Sequence, residues 1–163
     1  MATTAAGTPY VEASDLVAGY PAVSLALANH IDGLESASGT AIVNTSQSTA
    51  STSFVDLATA GPAVTVTTGT KALVIVGCAS FGSVDTWGNY MGFAVSGAST
   101  VAATVNDSNS TGRSTSRTGL SLAVLVTGLT AGSNTFTAKY RSEGGGNTSS
   151  FYFRKIIVID MGS

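Results

Sequence analysis

Most of the chain alternates between apolar and polar residues with a period of two, a pattern typical of β-strands. The alternation is clearest over residues 133–140. Turn signals containing Gly, Pro, Asn or Asp separate the alternating runs. We predict about eight strands, near residues 53–58, 62–68, 71–81, 87–96, 100–105, 118–128, 133–142 and 149–160. Strands at such short intervals, with no helical pattern among them, predict an antiparallel, jelly-roll-like β-sandwich over residues 52–163.

Two of the predicted strands are apolar at nearly every position rather than at every second one. They cover residues 72–79 and 120–126. Continuous apolar runs of strand length indicate strands that are covered on both faces. We therefore expect the opposite sheet to cover one face and a neighbouring subunit to cover the other.

The only helical pattern lies in residues 14–35. Val23, Leu27 and Ile31 recur at a helical spacing, and Pro21 suits a first helical turn. A helix this short is marginal in water on its own, so it needs a packing surface. Its own domain could supply one, but we favour copies of itself in an oligomer. The predicted seam consists of Tyr20, Val23, Leu27, His30, Ile31 and Leu34.

The pattern divides the chain into four segments. Residues 1–13 predict an irregular arm, and residues 14–35 the short helical segment. Residues 36–51 are rich in Ser, Thr and Ala and predict a linker with at most one short strand, at 41–44. The β-sandwich then occupies residues 52–163.

The composition excludes several classes of partner. Charged residues make up 10% of the chain, and the 7 basic residues are scattered, which argues against nucleic-acid binding. No apolar run reaches the roughly 18 residues of a membrane helix, and residues 1–10 do not resemble a signal peptide. Ser and Thr account for about a quarter of the residues, well above the usual share.

The sequence offers little catalytic chemistry. His30 is the only histidine and Cys78 the only cysteine, and a nucleophile and its base would need to lie within hydrogen-bond reach. We therefore predict no enzyme activity, no cofactor and no metal site, with Cys78 as an inert core residue. Trp87 and Tyr90 are candidates for a ligand platform, and packing in the core or at an interface is the alternative.

Two stretches carry a resemblance to a known class of proteins. The first covers residues 8–11 and 14–28, including DLVAGYPAVSLALA; the second covers residues 127–141 and the closing strand 151–160. Both resemble small virion proteins of tailed, actinobacterial-type bacteriophages, namely minor tail, fibre or head-decoration proteins. These proteins join a short helix to a jelly-roll head of the tumour-necrosis-factor type. The paired arginines that the class often carries in its C-terminal strands are replaced here by Arg154-Lys155.

The resemblance implies a non-enzymatic structural protein of the virion. It implies a homotrimeric minor tail or fibre component, assembled in the host cytoplasm and exposed on the particle surface, with a head that attaches to a host cell-surface glycan. The arm, with Tyr10, Val11, Leu16 and Val17, would dock onto other virion proteins of the tail or capsid. A capsid decoration protein or head fibre is the alternative, and a cell-wall glycan-degrading enzyme is a remote one.

Overall fold

The computed structural model describes residues 2–3, 9–10, 22–29 and 37–162. Strands β1 (Ala2–Thr3) and β2 (Pro9–Tyr10) pair with each other in antiparallel fashion. Helix α1 spans residues 22–29. It is the only helix among the described residues, and it does not combine the length and apolar character that a membrane crossing requires.

Nine further strands build two antiparallel sheets. Their bounds are β3 (Ser38–Val43), β4 (Gln47–Thr49), β5 (Ala63–Thr68), β6 (Lys71–Gly82), β7 (Asn89–Gly97), β8 (Asn109–Ser110), β9 (Thr118–Thr127), β10 (Gly132–Ser142) and β11 (Ser149–Asp160). The five-stranded sheet has the order β3-β11-β6-β9, with β4 also pairing with β11, and the four-stranded sheet has the order β5-β10-β7-β8.

The strand order is that of a jelly roll. The chain crosses between the sheets at nearly every connection, and the last two strands insert between earlier ones. Strand β10 lies between β5 and β7, and β11 lies between β3 and β6. Two such Greek-key arrangements define the eight-stranded jelly roll. The predicted jelly-roll-like β-sandwich is therefore confirmed.

The core lies between the two sheets, where every second residue of the long strands is buried. In β6 the inward residues are Ala72, Val74, Val76 and Cys78, and β10 contributes Phe136, Ala138 and Tyr140. Each large apolar side chain buried in this way stabilises the fold by about 1.5–3 kcal/mol. The period of two seen in the sequence is therefore the alternation between this core and the outer faces.

The sandwich begins earlier in the chain than the sequence indicated. Strands β3 and β4 lie within the range predicted as a linker, and both pair with β11. Side chains in this range are only half-buried or exposed. The alternation of apolar and polar residues that predicts a strand is therefore weak in this range, although both strands pair with β11.

Two predicted strands are absent as continuous elements. In 53–58 only Val55 bridges to the sheet, and in 100–105 only Val101 does. At both places a side-chain hydroxyl accepts a hydrogen bond from a backbone N–H. The Ser53 N–H donates to the Ser51 hydroxyl, and the Asp107 N–H donates to the Thr104 hydroxyl. Such local bonds offer an alternative to a ladder of strand hydrogen bonds.

The predicted helix is present over residues 22–29, where Val23 is buried and Leu27 is 37% exposed. The other four seam positions lie outside the described residues: Tyr20, His30, Ile31 and Leu34. Of the arm residues, Tyr10 lies in β2, and three lie outside the described residues: Val11, Leu16 and Val17.

Candidate functional site

The outer surface of the five-stranded sheet is aliphatic at one end. The strand register places Ile159, Leu73 and Leu125 in one row across the sheet, and Ile157, Ile75 and Ala123 in the next. Leu125 is 57% exposed and Ile159 is 37% exposed. These six residues, which we call the aliphatic face, form a contiguous apolar patch of the kind that marks an interaction surface.

The other end of the same surface is aromatic. The rings of Phe81 and Tyr152 stack with centroids 5.8 Å apart. The guanidinium of Arg117 lies 5.0 Å from the centre of the Tyr152 ring and 5.9 Å from that of Phe153. Contacts of this kind between a cation and aromatic faces are attractive. The surface therefore passes from aliphatic to aromatic side chains, with Arg117 over the rings.

A β-bulge in β11 determines which side chains of this strand face the core. The pairing with β6 shifts between Tyr152 and Lys155, and Phe153 has a positive φ of 51°, which is uncommon for a residue other than glycine. Tyr152 and Phe153 both face outward, and Arg154 then faces inward. Without the extra residue, Phe153 would point into the sandwich and Arg154 into solvent.

Arg154 is fully buried and is held by oxygen atoms of the 45–61 segment. One terminal nitrogen, Nη1, donates to the carbonyls of Thr59 and Gly61 at 3.2 and 3.3 Å. The other, Nη2, donates to the carbonyl of Thr45 and to Gln47 Oε1, each at 3.2 Å. Within residues 37–162 no carboxylate pairs with this guanidinium. Arg154 therefore fastens this segment to the centre of the sheet.

The ring of Tyr140 lies against the same guanidinium, 5.3 Å from the ring centre to the Arg154 carbon. Its hydroxyl donates to the Gly61 carbonyl at 2.9 Å. Burial raises the pKa of this hydroxyl well above its ordinary value, although the nearby Arg154 opposes the shift. Tyr140 therefore stays protonated and acts as a structural donor rather than as an acid.

A buried amide network closes one end of the sandwich around Asn147. Its Nδ2 donates to Asn89 Oδ1 at 3.2 Å, and to the hydroxyls of Ser142 and Ser149 at 3.0 and 3.1 Å. Asn89 in turn donates to the hydroxyl of Thr111. Buried polar groups are costly unless they are bonded in this way. The network therefore holds the loops at this end in one arrangement.

The four-stranded sheet carries a cleft of about 460 Å³ on its outer surface, which we call the cationic cleft. Lys139 and Arg141, two residues apart on β10, lie on the same side of the strand and line it. Its other lining residues are Thr52, Ser53, Phe54, Ala94, Ala102 and Ala103. The cationic cleft thus differs in chemistry from the aliphatic face, which carries no charged side chain.

Arg141 lies between two aromatic rings at this cleft. Its guanidinium carbon is 5.8 Å from the centre of the Phe54 ring and 5.5 Å from that of Tyr90. Lys139 instead pairs with Asp56 at 2.7 Å. Arg141 was not among the site residues predicted from the sequence, although the alternation over 133–142 places it on the same face as Lys139. Nothing in the sequence indicates that Phe54 lies beside it.

The two predicted platform residues both lie near the turn that follows β10. Trp87 is 39% exposed, and its ring lies so close to Gly144 that a side chain at Gly144 would collide with it. The Gly88 N–H donates to Glu143 Oε2 at 2.7 Å. Tyr90 is half-buried and contacts Arg141. Trp87 is therefore held against the hairpin, while Tyr90 belongs to the surroundings of the cationic cleft.

Cys78 is buried in β6, and we expect it to be unreactive in the folded protein. Burial raises the pKa of its thiol from an ordinary 9.0 to about 12, although hydrogen bonds with Ser80 and Asn109 oppose the shift. At pH 8 the folded protein should therefore resist iodoacetamide, and denaturant should make the thiol fully reactive, since the thiolate is the nucleophile. Mass spectrometry of the labelled protein measures both.

A Ser96→Cys variant provides the control, because residue 96 is exposed on the opposite sheet and should label once per chain when folded. Rapid labelling of Cys78 in the folded protein would contradict the prediction.

The raised pKa of Cys78 also makes the stability of the fold depend on pH. The pKa of the Cys78 thiol is 9.0 in the unfolded chain and about 12 in the folded protein. The contribution of the neutral thiol to the free energy of unfolding is therefore complete below pH 9 and is lost as the pH rises to about 12.

In the described part of the chain, no group of three or more His, Cys, Asp or Glu side chains could hold a metal ion. Comparison of the chain with protein-family models and with curated proteins found no match in either case.

Proposed function

We propose that this protein is a structural component of a bacteriophage virion and assembles as a homotrimer through the aliphatic face. The observation that carries the proposal is the row of exposed leucine and isoleucine side chains across the five-stranded sheet, in a protein whose opposite sheet exposes mainly threonine and serine. Exposed aliphatic rows of this kind are stabilised when another protein surface covers them.

The size of this surface suits assembly with a second copy. Strands lie about 4.8 Å apart and rise about 3.3 Å per residue, and β6 has 12 residues. The sheet is four strands wide, because β3 and β4 pair with the same side of β11. Its whole outer surface, with the aromatic end included, measures roughly 750 Å², close to the ~800 Å² that each partner buries in a typical stable interface; the aliphatic face is the uncharged part of it. Burying the aliphatic face alone would remove several large apolar side chains from water.

The charge of the surface also favours a second copy as the occupant. Identical subunits carry identical charges, so a surface that meets its own kind must be nearly neutral to avoid repulsion. The six residues of the aliphatic face carry no charged side chain, and the outward-facing Lys71 and Lys155 lie one row beyond it at either end. The number of subunits, three, comes from the resemblance to trimeric jelly-roll heads of phage proteins.

The remaining parts of the proposal concern position in the particle. The arm and the helical segment 14–35 attach the trimer to other virion proteins, and the sandwich faces the medium as a host-attachment head. A tail or fibre position is the primary proposal. A capsid decoration protein would place the same trimer on the shell, and imaging of labelled protein on intact virions distinguishes the two.

Light scattering on the purified full chain tests the assembly directly. We expect a single species of about three times the 16.2 kDa chain mass at micromolar concentrations. A monodisperse species of one chain mass would refute the homotrimer. Particles that carry no label on either tail or capsid would refute the virion assignment independently of the mass.

A further inference from the structure

We propose that the cationic cleft binds an acidic saccharide, whose carboxylate or phosphate group is held by Arg141. The cleft lies on the four-stranded sheet, on the side of the sandwich opposite the aliphatic face. Its volume of about 460 Å³ falls within the range of small-ligand sites, about 300–1,000 Å³. A ligand could therefore occupy it while the aliphatic face is covered by neighbouring subunits.

Arg141 is held in a fixed orientation before any ligand arrives. The rings of Phe54 and Tyr90 lie at 5.8 and 5.5 Å from its guanidinium carbon. Its Nε donates to the carbonyl of Ser142 at 3.2 Å. Within residues 37–162, neither of its two terminal nitrogens has a protein acceptor. A planar guanidinium with free terminal N–H groups can donate two parallel hydrogen bonds to the two oxygens of a carboxylate or phosphate.

The charge balance of the cleft singles out Arg141. Lys139 is neutralised by Asp56, whose carboxylate lies 2.7 Å from the ammonium. Glu143, the next carboxylate on this side of β10, accepts the Gly88 N–H and forms no ion pair with Arg141 within the described sandwich. Within the described sandwich the Arg141 guanidinium therefore has no carboxylate in direct contact, and an anionic ligand group would supply one.

The remaining lining favours a saccharide as the carrier of that anion. Thr52 and Ser53 contribute hydroxyl groups at one side, and both are exposed. Ala94, Ala102 and Ala103 form a low wall of small side chains that leaves the cleft open. Hydroxyl groups, an aromatic ring and an open, shallow shape suit a sugar ring, which presents hydroxyls at its edge and C–H groups on its faces.

The identification of this saccharide with a host surface polymer rests on the proposed function. A carboxylate would come from a uronic-acid polymer and a phosphate from a polyol-phosphate polymer. The recognition chemistry is the same for both sources. Binding itself depends only on the cleft and can be measured on the isolated protein.

The experiment is isothermal titration of the full chain with D-glucuronate, glycerol phosphate and, as the uncharged comparison, D-glucose. We expect binding of at least one acid and none of D-glucose. Arg141→Gln should weaken that binding about tenfold or more, because a hydrogen-bonded ionic contact is lost. Arg141→Lys should also weaken it, since an ammonium cannot form the bidentate contact. The acid that binds identifies the source.

The chain offers a matched control in Arg117, whose guanidinium also lies over two aromatic rings, but over rings of the opposite, five-stranded sheet. Arg117→Gln should leave binding unchanged. Ala102→Phe fills the exposed wall of the cleft without altering any charge, and should abolish binding even if Arg141→Gln folds poorly.

Three results would overturn the proposal: binding of neither acid by the unaltered protein, equal weakening by Arg117→Gln, or full binding by Ala102→Phe. The outcomes for the two proposals are separable. If the protein is a trimer but binds neither acid, only the proposal of saccharide binding is refuted. If it is a monomer that binds glucuronate, only the homotrimer is refuted.

Discussion

Replacing Arg154 with methionine is expected to lower the free energy of unfolding by about 3 kcal/mol. The substitution removes the guanidinium as donor from the carbonyls of Thr45, Thr59 and Gly61, of which only that of Gly61 keeps a second donor, the Tyr140 hydroxyl. A hydrogen bond to a charged donor contributes about 1.5–3 kcal/mol, and several such bonds are lost together. The gain from no longer burying a charge without a carboxylate partner offsets part of this cost. For a chain of this length, the melting temperature should fall by about 6–12 °C.

Thermal and urea unfolding at one fixed protein concentration measure this effect, since assembly also contributes to stability. Lys155→Met is the matched control, because the neighbouring cation is exposed and its loss should change stability by less than about 0.5 kcal/mol. Arg154→Lys should also be destabilised, because a single ammonium cannot reach acceptors on both sides of the guanidinium. If Arg154→Met proves as stable as the unaltered protein, Arg154 does not hold the 45–61 segment.

Introducing lysine at both Leu125 and Ile159 is expected to convert the proposed homotrimer into a folded monomer. The two residues flank Leu73 in one row of the aliphatic face. Each substitution removes an apolar side chain worth about 1.5–3 kcal/mol when fully buried. It also forces a charge into an interface where nothing pairs with it. Both positions are at least 37% exposed in the single chain, so the sandwich itself should fold.

Light scattering measures the mass of the variant, and circular dichroism verifies that it is folded. Thr67→Lys with Ser96→Lys is the matched control, because it adds the same charge to exposed positions of the four-stranded sheet. This control should remain trimeric. If the Leu125/Ile159 double variant also remains trimeric, the aliphatic face is not the surface through which the subunits meet.

The sequence predicted the sandwich well where its strands alternate strongly between core and surface. The predicted ends of β6, β10 and β11 lie within one residue of those observed, because apolar side chains on one side of each strand are fully buried. Strand β3 was predicted only as a short strand at 41–44 and β4 was missed, because both bury little side chain and are fixed by backbone pairing to β11. Pairing partners distant in the chain leave no local signal.

The candidate sites were less accessible to sequence reasoning, for two physical reasons. Whether Arg154 is buried depends on one extra residue in β11. A prediction from the alternation of apolar and polar residues cannot locate such a bulge. The cationic cleft depends on Phe54, which approaches Arg141 from a segment far away in the chain. A lone arginine in a strand gives no indication of the rings that will flank it.

The central position of β11 constrains the order in which the protein can form on the ribosome. β3 and β4 emerge first among the sandwich strands but find their partner only in β11, which is made last of all the strands. Pairings between such distant segments form slowly. Until β11 has left the ribosome, one sheet lacks its middle strand, and its apolar side chains stay open to aggregation or to chaperones.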